Sequence, residues 1–100
     1  MHNQSRRTLQ TQLTAESPAA VLGAAREFFS RRTAIYATFV EKEGPNYLTF
    51  RGQGGEEIVI AAFAEGGATV VNGSSYMFDQ QVARFLATLS PVAQVAGATA

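Results

Sequence analysis

A chain of 100 residues is long enough for one domain with a single modest core. Its 46% hydrophobic and 16% charged residues are the composition of a compact fold, which excludes a wholly disordered chain. Eight basic residues balance eight acidic ones, removing the long-range attraction used by nucleic-acid or anionic-lipid surfaces, and the lack of cysteine excludes disulfide and thiolate chemistry.

In chain order, residues 1–7 are polar and predict a mobile arm, ahead of a single domain over 8–90. Two arginines in this head, with no apolar stretch behind them, predict no secretory signal. No apolar run approaches the ~18 residues of a membrane span. The expected location is cytoplasmic. From Thr8 to Ala15 the pattern alternates weakly, with Leu9, Thr11 and Leu13 on one side and Gln10, Gln12 and Thr14 on the other, as in an edge strand. Ser17-Pro18 is a helix start, a serine N-cap with proline at the first helical position. The stripe Val21, Leu22, Ala25, Phe28 and Phe29 then carries that helix to about Arg32.

Four β-rich runs follow, over 35–43, 46–52, 56–65 and 68–78, separated by Gly44-Pro45-Asn46, Gln53-Gly54-Gly55 and Gly66-Gly67. Short strands joined by tight turns predict an antiparallel meander. A second helix opens at Phe78-Asp79, with Asp79 as N-cap and Val82, Phe85, Leu86 and Leu89 as its stripe, and Ser90-Pro91 stops it. Residues 91–100 are small and aperiodic, as in a loose tail. The expected fold is α+β, α-β-β-β-β-α with both helices on one face of a four-stranded antiparallel sheet and an extra N-terminal edge strand as an option.

The glycine-rich stretch FRGQGGEEIVI is read as a hairpin turn. A phosphate-binding loop leads into a helix whose amides meet the anion, whereas this one leads into Glu56, Glu57 and a β-branched run. A three-residue loop pairs Leu48 with Ile60 and Phe50 with Ile58 on one face, and sets Arg51 opposite Glu57. That register defines two faces. Leu48, Phe50, Ile58, Ile60 and Ala62 should lie under the helices with Ile35, Ala37, Phe39, Val71 and Met77. The opposite face should show Tyr36, Val40, Tyr47, Val59, Phe63, Val70 and Tyr76, together with Arg51. An open sheet face normally reads polar, so these eight residues are the candidate interface.

Catalytic and metal chemistry lack raw material. The sole histidine is His2 in the head, the sole aspartate reads as a helix cap, and Glu56 and Glu57 point to opposite faces of a strand. No enzyme activity, cofactor or metal is expected.

The stretches TLQTQLTAESPAAVLGAAREFF and ATVVNGSSYMFDQQVARFLATL resemble the opening strand with its proline-started helix, and the last strand with its closing helix, of the helix-grip fold in the START-like, polyketide-cyclase-like (SRPBCC) superfamily. The resemblance is one of pattern and carries no diagnostic motif. It implies a sheet gripping its terminal helix, and a small apolar ligand held between them. The chain is shorter than such a domain and its closing helix is brief. The function expected from the residues themselves is an interaction module, a homo-oligomer or a subunit of a larger complex, using the apolar open face. The apolar-ligand domain is the alternative. Single-stranded nucleic-acid binding, by stacking on Tyr36, Tyr47 and Phe63 with Arg51 and Arg6-Arg7 on the backbone, comes third, with zero net charge against it.

Overall fold

The computed structural model describes residues 8–32, 39–52, 57–76 and 78–92. They form β1 (Thr8–Thr14), α1 (Pro18–Glu27), β2 (Phe39–Glu43), β3 (Tyr47–Arg51), β4 (Glu57–Glu65), β5 (Ala68–Tyr76) and α2 (Asp79–Ala87). Of the residues assigned a place from sequence, the arm 1–7 with His2 and Arg6-Arg7, Ile35, Tyr36, Ala37, the loop 53–55, Glu56, Met77 and the tail from 93 lie outside the described residues. The class is α+β as expected. Among the described residues the sheet has five strands in the order β1-β5-β4-β3-β2, with every pair antiparallel, so the optional N-terminal strand is present and closes onto β5. No helix among the described residues is long and apolar enough to cross a membrane.

Local chemistry explains most boundaries. The Ser17 hydroxyl accepts a hydrogen bond from the Ala20 amide at 3.1 Å and caps α1, with Pro18 occupying a position where its missing N–H costs nothing. α1 continues into a π-helical turn over Phe28–Arg32, one more residue per turn, which carries Phe29 into the core beside Phe28. Gly66 and Gly67 have φ of 60° and 84°, the left-handed pair that a two-residue hairpin between β4 and β5 requires.

The β3–β4 register is the predicted one: Leu48 opposite Ile60, Phe50 opposite Ile58, Arg51 opposite Glu57. The core lies between this face of the sheet and the two helices. Four phenylalanine rings fill its centre, with Phe29 5.0 Å from Phe28, 5.2 Å from Phe50 and 5.3 Å from Phe85.

Two expectations are corrected. The face assignment of Val40 is reversed. Val40 pairs with Phe50 and packs against the core, and Phe39 pairs with Arg51. The cause is an irregularity between Val40 and Lys42, where one extra residue enters the strand and turns Val40 to the side of Phe50. Asp79 is not the N-cap of α2. Phe78 occupies that position without a side-chain cap, and Asp79 opens the helix itself.

The Asp79 carboxylate instead accepts from the Thr8 hydroxyl at 3.0 Å and the Ser75 hydroxyl at 3.1 Å, tying α2 to β1 and β5. Its negative charge also suits the first turn of a helix. Ser75 is fully buried. Asp79→Ala should therefore cost about 1–3 kcal/mol, the penalty for a buried hydroxyl deprived of its acceptor. In an Asp79→Ala/Ser75→Ala pair most of that loss should be absent, which chemical denaturation of the single and double variants would measure.

Candidate interaction face

The face of the sheet turned away from the helices can be read as rows across the strands. One row runs Leu13–Val70–Phe63, and the next Thr11–Asn72–Ala61–Tyr47. A third runs Leu9–Ser74–Val59–Thr49–Lys42, and a fourth Tyr76–Glu57–Arg51. The face is therefore graded. Its apolar end holds Leu13, Val70, Phe63 and Tyr47, and its opposite end is ionic.

At the ionic end Arg51 meets Glu41 at 3.0 Å and Glu57 at 3.4 Å. Glu41 is the extra residue of the β2 irregularity, so the same feature that turns Val40 inward delivers a carboxylate to Arg51. These partners are partly exposed, and such a pair contributes roughly 0–1 kcal/mol. In the middle the Thr11 hydroxyl donates to Asn72 Oδ1 at 2.8 Å, which spaces the apolar rows with a polar one.

Leu9, Leu13, Tyr47 and Phe63, exposed by 66, 51, 36 and 37%, are the exposed large hydrophobic side chains of the described residues, and all four stand on this face. Val59, Val70 and Tyr76 lie half-buried between them. Beside the apolar end, a concavity of about 660 Å³ is lined by Leu13, Glu65, Ala68, Val70 and Val92, among others.

Of the eight candidate residues, Tyr47, Arg51, Val59, Phe63, Val70 and Tyr76 come together here. Val40 is on the other face, and Tyr36 lies outside the described residues. Leu9 and Leu13 were not among the candidates. Their alternation was visible in the sequence, but the side they present follows from which strand β1 joins. Gln10 donates to the Asp79 carbonyl at 3.0 Å, Gln12 to the Leu86 carbonyl at 2.7 Å and Thr14 to the Ser90 carbonyl at 2.6 Å. Because the polar side of β1 is satisfied by the last helix, its leucines turn outward.

Comparison with protein-family models, curated proteins and solved structures gives no match for this chain.

Proposed function

We propose that the protein is a non-enzymatic interaction module that assembles through the open face of its sheet, chiefly with further copies of itself. The observation that carries this reading is the gathering of Leu9, Leu13, Tyr47 and Phe63 on one face while the helices cover the other. Large apolar side chains gathered on one open face mark interfaces more often than free surface, and tyrosine contributes area while keeping a hydrated hydroxyl. A formal charge of zero leaves no net repulsion between copies. A cytoplasmic site of action fits a chain without cysteine.

The apolar-ligand alternative draws on the resemblance to helix-grip domains, which the strand–helix–strands–helix order supports at the level of fold. In such domains the ligand sits between sheet and closing helix, and here the Phe28, Phe29, Phe50 and Phe85 rings occupy the centre of that space. Nucleic-acid binding through Arg51 is disfavoured by the two carboxylates already beside it.

The test is mass in solution by light scattering over a range of concentrations, with Phe63→Glu as the probe. Loss of an interface anchor costs about 2 kcal/mol or more, so dissociation should strengthen by about thirtyfold. Far-UV circular dichroism should be unchanged, because Phe63 is not part of the core. Arg51→Ala, at the ionic end, should weaken association less than Phe63→Glu, because its charge is already met by Glu41 and Glu57. A strict monomer at every concentration would sink the reading.

A further inference from the structure

The two edges of the sheet are built differently. β2 carries Glu41, Lys42 and Glu43 and an irregular register, the devices that keep an edge from pairing with another chain. β1 has none of them. It holds no charge and no proline, and its pairing with β5 is regular over all seven residues. The side chains of Gln10 and Gln12 fasten it to α2, and that of Thr14 to Ser90 just beyond the helix, so the edge is held extended before any partner arrives.

The sequence of β1 is TLQTQLT, a palindrome. We propose that β1 pairs antiparallel with β1 of a second copy about a twofold axis through Thr11, joining two sheets into one. This specifies the assembly reading above by naming the partner and an edge contact beside the face. In that register Thr11 lies opposite Thr11, Leu9 opposite Leu13, Gln10 opposite Gln12 and Thr8 opposite Thr14. Like meets like at every position, and threonine–threonine and aliphatic pairs across strands are favourable ones.

Other registers lose this match. A one-residue slip sets Leu9 against Gln12 and turns the open face of one copy to the helix side of the other. A two-residue slip sets Leu9 against Thr11. The two leucines are also more exposed than Phe63, 66 and 51% against 37%. Leu9 and Leu13 stand on the outermost strand, where the second copy's leucines would flank them. The open faces of the two copies would then run on as a single surface.

The absence of native cysteine makes a cysteine survey clean. Opposed Cα atoms lie about 4.5–5.5 Å apart, within disulfide reach, whereas Leu9 of one copy and Leu9 of the other would be about 14 Å apart along the strands. Thr11→Cys should therefore give a covalent dimer on mild oxidation or with a short bifunctional thiol reagent. Leu9→Cys and Leu13→Cys should each form no covalent link alone and cross-link when mixed in equal amounts. Circular dichroism of each variant confirms the fold.

Leu9→Cys linking to itself as readily as to Leu13→Cys would overturn the pairing, as would a folded Thr11→Cys that forms no covalent dimer. The mass of Phe63→Glu separates this contact from the open-face reading. If that variant dissociates fully and no cysteine pair links, the face associates and the edge does not. If the cysteine pairs link while Phe63→Glu leaves the mass unchanged, the edge contact stands and the face reading fails. If both operate, Phe63→Glu should fall to a dimer that still cross-links.

Discussion

Phe29→Ala should lower the stability of this protein by about 3–5 kcal/mol, the range for a buried aromatic cut back to alanine. Phe29 has no exposed surface and stands among three other rings, Phe28, Phe50 and Phe85. Through them it joins the end of α1 to β3 and α2, so no single element can relax into the space it leaves. Domains of this size have roughly 5–15 kcal/mol in total, and the variant could lose much of that. The melting midpoint should fall by roughly 12–40 °C, at 4–8 °C for each kcal/mol. Phe63→Ala, on the open face, should cost less than about 1 kcal/mol in the monomer, so the contrast separates the folding core from the association surface. A loss below about 1 kcal/mol in Phe29→Ala would mean that the cluster is not the centre of the core.

Legibility from sequence tracked the range of the interactions involved. The β3–β4 hairpin was readable because Leu48, Phe50, Ile58 and Ile60 allow only one parity, and the structure has that register. β2 was misread for a local reason. In Val40-Glu41-Lys42-Glu43 three consecutive polar residues give no alternation from which an extra residue could be detected, so counting through them put Val40 on the wrong face. Asp79 was misread for a distant one. Aspartate near a helix start suggests a cap, but the Thr8 hydroxyl that it accepts from is 71 positions away in sequence. The same distance hid the outward turn of Leu9 and Leu13, since the groups that satisfy Gln10 and Gln12 belong to the last helix. The candidate face was thus readable across β3, β4 and β5, and its β1 border was not.

Gly73→Ala is the second large effect. β5 passes beneath α2 at this residue, and a Cβ placed there would lie 2.6 Å from Val82 Cγ1 and 3.5 Å from Ile60 Cδ1. The helix therefore sits in a notch that only hydrogen leaves open. Alanine should cost about 1–3 kcal/mol through overpacking, reduced by the 0.5–1 kcal/mol that alanine gains over glycine within a strand. Val82→Ala should be destabilising in the opposite sense, by leaving a void. Combined, the added methyl occupies part of the space the valine vacated, so the double variant should be more stable than the sum of the two singles by about 1–2 kcal/mol. Denaturant titration of the four proteins measures that coupling, and strict additivity would mean that α2 does not rest on Gly73. The consequence reaches the edge of the sheet as well. The carbonyls that hold Gln10 and Gln12 ride on α2, so a helix lifted by Gly73→Ala pulls on β1 and should slow cross-linking through Thr11→Cys, and Val82→Ala should restore it.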